Sequence, residues 1–507
     1  MSKSLWGLSG VLPSTAVAAI LWLCGPAVGE TFTVTASVVG TGGTIEPAGK
    51  VTVAEGAGVT FRFKPEPGYA YTNVKVDGRK QSHAHATVTL KDVRADHTIS
   101  VAFKKSKTGG FKTRAMFGLW VKGGKAPPNT ISPDDLVYEG AFRLPRGGKV
   151  AATWGYSGSA LAYYPDGDPT GPDDGHPGSL FGIGHPYGGM LSEVAIPAPV
   201  IPRGKDRRGL NTARTLQPFT KVHAGLTGGD GKASGLRMGG LAYLPAQADG
   251  QPARLYFGMG KHFPGRGLRP NHGWCEPDLT RPRAAGLWNV GDVTEMRSGY
   301  NLFEIPAAWA REHTGGKTLA TGRARWGQGC GAGPHLYAVA PWRDGVAGKP
   351  PAPGAPMTYV VLLDYAKQPI HGYRFVDAWE GGAWLTDGDK GAVVLNASLG
   401  YGCVWYDHAY FSDHRMTALQ FFDPADLAAV ARGDKKPHEP RPYAVLDVSE
   451  RMVTYNAKTQ KSAPLMGTAY DRKRGLLYAA ERRGDGTLPL VHVWRLRLTG
   501  TPRKVAR

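Results

Sequence analysis

The feature that most constrains this chain is a weak internal repeat that begins near residue 131. Each unit opens with small residues and a short apolar strand, then turns into a second strand. The pairs are GSALAYYPDGD with SLFGIGH, GGLAYLP with ARLYFGMGK, PHLYAVAPW with TYVVLLDY, GGAWLTDGDKG with AVVLNAS, and MGTAYDRKRG with LLYAAER. Further strands, MLSEVAIP, NLFEIP, RMTALQFFDP and LVHVWRLR, read as third strands. The five copies recur at intervals of roughly sixty to ninety residues, and sheets repeated radially in this way are the blades of a propeller.

The ends of the repeat suggest how the ring closes. LVYEGAFRLP (Leu136–Pro145) is a strand without a blade, and the last copy stops at VHVWRLRL without an outer strand. Pairing the two removes exposed sheet edges, which otherwise invite aggregation. Five blades are therefore favoured. Six is the alternative, because the third copy lacks a clear outer strand. A β-sandwich is the rival architecture, and the repeat argues against it. DPADLAAVARG (Asp423–Gly433) predicts a short helix inserted in the fourth blade, capped by Asp423 or Asp426. The composition agrees: 71 glycines and 39 prolines among 507 residues favour turns and short strands over helix interiors.

Ahead of the repeat, residues 31–104 alternate apolar and polar positions with period two, the pattern of antiparallel strands with one solvated face. PGY (Pro67, Gly68, Tyr69), VKVDG (Val74–Gly78) and the closing DHTISVAF (Asp96–Phe103) resemble the small bacterial repeat domains related to the internalin B-repeat. That resemblance implies an extracellular spacer or adhesion module and carries over no catalytic residues. YEGAFRLP, GGLAYLP and NLFEIPAAWAREHTGGKTLATG likewise resemble secreted bacterial propeller-like proteins, which implies fold and export but no activity. The expected fold class is all-β: a small antiparallel β module followed by a β-propeller. The expected boundaries are a signal peptide at 1–29, the module at 30–104, a basic Gly/Pro linker at 105–130 and the propeller at 131–500.

The signal reading rests on Lys3, the apolar run AVAAILWLCG, and small residues at Ala27, Val28 and Gly29. No later segment has the length and apolarity of a transmembrane span. The expected location is exported: periplasmic, extracellular or cell-surface. Removing the signal leaves three cysteines. Cys275 and Cys330 fall on connections expected to be neighbours and form the expected disulfide, with Cys330–Cys403 as second choice and Cys403 as the odd thiol.

The formal charge is +20 and the signal contributes only Lys3, so the basicity belongs to the mature chain. An exported protein rarely meets nucleic acid, so the expected partner is an anionic glycan or another cell-surface component. Candidate binding residues fall on one face of the predicted propeller: His185, Tyr187, Lys261, His262, Trp274, Trp326, Gln328, Tyr401, Trp405, Tyr406, His408 and Arg482. Aromatic rings stack on sugar faces and cations pair with acid groups. YGCVWYDHAYFSDHR (Tyr401–Arg415) is read as a loop on this face. No C-x-x-C, H-x-x-x-H or H-E-x-x-H spacing occurs, and no metal or cofactor is expected. GYSGS lacks the second glycine of a nucleophile elbow, and GQGCGAG lacks the Lys-Ser/Thr of a phosphate loop. Two other functions compete: a propeller glycoside hydrolase or lyase, which needs paired carboxylates, and a structural envelope protein.

Overall fold

A computed structural model describes residues 30–497 apart from 67–68, 81–86, 106–125, 150, 170, 172–174, 227–235, 248–249, 261–267, 324–332, 341–351, 366–372 and 408. Of residues 402–410 it describes no side chains. Residues up to Lys104 and those from Lys105 onward separate near that boundary into two compact units.

The first unit contains β1 (Thr31–Val39), β2 (Gly43–Glu46), β3 (Gly49–Ala54), β4 (Val59–Pro65), β5 (Tyr69–Val76), β6 (Arg79–Lys80), β7 (Thr87–Leu90) and β8 (His97–Lys105). They form a five-stranded sheet, β3-β1-β8-β5-β6, and a three-stranded sheet, β2-β4-β7. Phe61, Phe63, Val74, Ile99 and Val101 fill its core. The period-two pattern is explained by one buried and one solvated face: β4 alternates buried and exposed positions through Phe61 and Phe63. β1 pairs antiparallel with β3, β4 with β7 and β5 with β6, whereas β1 and β8 run parallel.

The second unit is a five-bladed propeller. Blade 5 begins with the outermost strand β9 (Leu136–Arg143), which precedes the rest of the ring in sequence. Blade 1 is β10 (Leu161–Tyr164), β11 (Ser179–Ile183), β12 (Leu191–Ala195) and β13 (Thr215–Thr220). Blade 2 is β14 (Arg237–Leu244), β15 (Arg254–Gly260), β16 (His272–Cys275) and β17 (Ala285–Val290). Blade 3 is β18 (Phe303–Glu304), β19 (Leu319–Thr321), β20 (His335–Val339) and β22 (Tyr359–Asp364), and it lends β21 (Pro356–Met357) to the edge of blade 2. Blade 4 is β23 (Ala378–Asp387), β24 (Lys390–Asp407), β25 (Ala409–Phe422) and β26 (Ala444–Asp447). Blade 5 is completed by β27 (Leu465–Asp471), β28 (Leu476–Asp485) and β29 (Leu488–Leu496), with β29 pairing antiparallel to β9. The innermost strands β10, β14, β18, β23 and β27 are neighbours in that order, and β27 returns to β10.

Five apolar cores lie between successive blades. The core between blades 4 and 5 packs Val394, Leu419 and Leu385 against Leu465, Leu477 and Trp494. Propeller strands bury both faces, one toward each neighbouring blade, so β11 and β12 are buried at every position. Their sequences are therefore mostly apolar, as in a sheet covered on both sides, and the buried Glu193 accepts from Ser179 Oγ and from Gln217 Nε2.

Two expectations are corrected here. NLFEIP is the innermost strand of blade 3 rather than a third strand of blade 2. PHLYAVAPW and TYVVLLDY supply the third and fourth strands of blade 3 rather than its first pair. A short helix, α1 (Ala307–His313), occupies the first turn of that blade and displaces the repeat's usual spacing. The helix predicted in blade 4 is α2 (Pro424–Arg432), whose Asp423 side chain accepts from the Ala425 N–H at 2.8 Å and whose Gly433 closes the end at φ 86°.

Candidate functional site

The face carrying the second-to-third strand connections and the approach to each innermost strand is termed upper. On it, the β11–β12 connection is a tight turn organised by His185. The His185 carbonyl accepts from the Gly188 N–H at 2.9 Å and the Gly189 N–H at 3.1 Å. Its Nδ1 accepts from the Tyr187 N–H at 3.2 Å. These bonds fix the half-buried imidazole beneath Tyr187, with centroids 5.2 Å apart and planes at 29°. Tyr156 meets the same imidazole edge-on at 5.8 Å. Tyr156 is held at φ 57° by its N–H donating to the Thr487 carbonyl at 2.7 Å.

Three rings in a row are thus presented, with Tyr187 79 % exposed and Tyr156 51 % exposed. Cations lie over both ends. The Arg237 guanidinium is 4.7 Å from the Tyr187 centroid, and that of Arg483 is 5.4 Å from the Tyr156 centroid. Beside Tyr187 opens a cavity of 310 Å³ lined by Lys221, His223, Leu226, Arg237 and Met238 among others, with no carboxylate among its described lining residues. Burial, and then the Lys221 charge, hold the His223 imidazole below its ordinary pKa. His223 Nδ1 is buried and has no hydrogen-bond partner among the described residues.

Of the expected binding residues, the structure brings His185 and Tyr187 together, and adds Tyr156, Lys221, His223, Arg237 and Arg483, which the sequence reading did not select. Their signal was position: each flanks the start of an innermost strand or a second-strand end of blades 5, 1 and 2. Arg482 is exposed on β28 beside Arg483. Tyr401 belongs to another place. It is half-buried in β24 and lines a separate cavity of 800 Å³ with His414, Arg415, Met416, Arg451 and Tyr455 among others. The segment around it is not a loop. β24 and β25 pair from Val393↔Phe422 to Asp407↔Ala409, with a register shift between Tyr401 and Val404, which makes one long hairpin. Lys261, His262, Trp326, Gln328 and His408 lie outside the described residues, as do the side chains of Trp405 and Tyr406.

Two expectations fail. Trp274 is not a rim residue. It lies in β16 at 7 % exposure, inside the core between blades 2 and 3, with the Arg254 guanidinium 3.3 Å from its ring centroid. The Cys275–Cys330 disulfide is not formed. Cys275 carries a free thiol buried in the core between blades 1 and 2, and Cys330 itself lies outside the described residues. Strand alternation decides both outcomes: adjacent residues of β16 point to opposite inter-blade cores, so neither reaches the surface. Burial, aided by the Glu276 charge, pushes the Cys275 thiol up to about 12, which makes it inert.

A further concavity lies at the lower end of the ring axis. It measures 290 Å³ and is lined from all five innermost strands, with Tyr163, Tyr243, Glu304, Trp384, Tyr470 and Arg472 among the lining residues. Glu304 Oε2 accepts from Arg472 Nη2 at 3.0 Å, while Arg472 Nη1 donates to the Trp384 carbonyl at 3.2 Å and to Thr386 Oγ1 at 2.9 Å. Burial, with the Asp166 charge next, pushes the Tyr243 phenol up to about 12.

No protein-family model matches the chain, and no curated protein matches it. Among solved structures it is similar to an Aspergillus kawachii beta-fructofuranosidase complexed with glycerol, at 10 % sequence identity and a TM-score of 0.39. The match covers 74 % of this chain and 61 % of that one, so the chain spans less than two thirds of its neighbour's length. A likeness of this size carries no argument about activity.

Proposed function

We propose that the chain is an exported propeller protein that holds an anionic polysaccharide, acidic or sulfated, on its upper face. The observation that supports this most directly is the Tyr156–His185–Tyr187 row, flanked by Arg237 and Arg483 and adjoining a cavity whose described lining holds no carboxylate. Exposed rings offer flat faces for sugar rings, and the flanking guanidinium groups have donors for sulfate or carboxylate. A net charge of +20 draws an anionic polymer in at long range. Glycosidase chemistry needs two opposed carboxylates about 5–10 Å apart, and none is found among the described residues that line the upper cavity. The N-terminal module reads as a spacer that carries this face, in keeping with its resemblance to extracellular repeat domains.

The test is retention on heparin and on alginate at low and high salt, with the full chain and its Arg237→Ala and Tyr187→Ala variants. The expected result is binding to at least one polymer that weakens as salt screens the charges. Loss of Arg237 should weaken it about tenfold, equivalent to about 1.4 kcal/mol. Absence of binding at low salt, or retention unchanged in both variants, would sink this reading.

A further inference from the structure

The lower funnel is chemically unlike the upper face. Its walls mix aliphatic side chains such as Leu241 with tyrosines, and its described charge is concentrated in one ion pair, Glu304 with Arg472, plus Lys473 and the Asp471 carboxylate that Arg474 already pairs at 3.0 Å. Arg472 has two of its donors committed to Trp384 and Thr386 and a third to Glu304. Glu304 is one-third exposed, and its Oε1 has no hydrogen-bond partner among the described residues. The funnel therefore offers one open acceptor between ring walls.

The funnel narrows upward. Above it the innermost strands approach until side chains no longer fit. A Cβ at Gly467 would overlap the Ala160 backbone, and one at Gly381 would overlap the Met466 carbonyl. Asn301 Oδ1 accepts from the Gly381 N–H at 2.8 Å and so ties blade 3 to blade 4 at that level. Asn396 Nδ2 donates to Thr468 Oγ1 at 2.7 Å and ties blade 4 to blade 5.

We infer that this funnel is a binding site for a neutral, hydroxyl-bearing ring the size of one sugar unit, entering from the lower face. Its volume of 290 Å³ is at the small end of ligand pockets, which run from about 300 Å³ upward, and suits a single ring rather than a chain. The carboxylate acceptor calls for a hydroxyl donor. An anion would face Glu304, and a cation would face Arg472 and Lys473, so an uncharged ligand fits best. The ring's apolar face would lie on Tyr243 or Tyr470 while a hydroxyl donates to Glu304 Oε1. The site shares no residue with the upper cavity, so it stands or falls independently of polysaccharide binding.

The experiment is saturation-transfer NMR on the full chain with methyl hexopyranosides, methyl pentopyranosides and myo-inositol. Methyl hexuronosides serve as charged comparators, and neutral disaccharides separate a free ring from a chain end. Transfer to at least one neutral ring is expected, with affinity falling at least fivefold in Glu304→Leu and in Tyr243→Ala. Heparin retention should be unchanged in both variants. Binding of the disaccharide through one terminal ring would identify a chain end as the source, and binding of monosaccharides alone would identify a free sugar. The inference is overturned if no neutral ring binds, if uronosides bind better, or if neither substitution weakens binding. Should Glu304→Leu fail to fold, Tyr243→Ala decides.

Discussion

His272 shows how strongly a single residue can depend on its surroundings in this ring. It is fully buried, with Nδ1 2.7 Å from Asn271 Oδ1 and Nε2 2.7 Å from Thr321 Oγ1. Both contacts are satisfied by a neutral imidazole that donates from Nδ1 and accepts at Nε2. Burial lowers its pKa to about 3, against an ordinary 6.5. Above pH 6.5 the group is neutral in both folded and unfolded chains and stability is unaffected. Between 6.5 and 3 the unfolded chain takes up a proton that the folded chain refuses, so stability falls by about 1.4 kcal/mol per pH unit. Denaturant midpoints at pH 7.5, 5.5 and 4.5 should fall less steeply for His272→Gln than for the natural chain, and parallel slopes would contradict this. The sequence reading placed Trp274 and Cys275, the near neighbours of His272, on connections of the upper face. In fact they form a buried strand, because four residues of alternating character between glycine-rich turns do not reveal that both faces are covered. His185 and Tyr187 were legible, since GHPYGG, with three glycines, a proline and no aliphatic residue, reads as a turn.

Among the elements, the innermost strands carry the most demanding geometry. Gly467 in β27 lies so close to Ala160 that no side chain fits, and the same holds for Gly381 against Met466. Gly467→Ala should therefore cost more than about 2 kcal/mol by overpacking, since backbone rather than a flexible side chain must yield. Gly433→Ala, in open space at the end of α2, should cost about 1 kcal/mol from its positive φ alone. Thermal melts of the two variants would rank these costs, and a reversed order would disprove the close approach. At this scale the sequence revealed blades 1, 4 and 5 and the helix α2, whose Asp423 and Gly433 are ordinary start and stop signals. It misphased blade 3, because β18 is two residues long and the α1 helix follows it where other blades have a turn. The lower funnel was invisible for a related reason. Each blade contributes an unremarkable strand end, and only closure of the ring brings Tyr243, Glu304 and Arg472 around one space.

For the molecule as a whole, the pairing of β9 with β29 is what makes a ring of five sheets. A chain beginning at residue 126 retains β9, whereas one beginning at 150 exposes the edge of β29. The longer fragment should elute as a monomer and melt cooperatively. The shorter should self-associate through its open edge. A monomeric shorter fragment with the same melting temperature would show that closure contributes nothing. The closure also sets a schedule. Tyr138 on β9 donates to or accepts from His492 on β29 across 354 residues of sequence. At about 5–20 residues per second, a ribosome needs roughly 20–70 s to deliver the second partner after the first. For that interval β9 is an orphan, and the fifth blade cannot form. The protein can complete its ring only once β29 has been synthesised, so a chain kept unfolded until synthesis is finished loses no folding opportunity for that blade, whereas one that collapses early must keep β9 from pairing elsewhere.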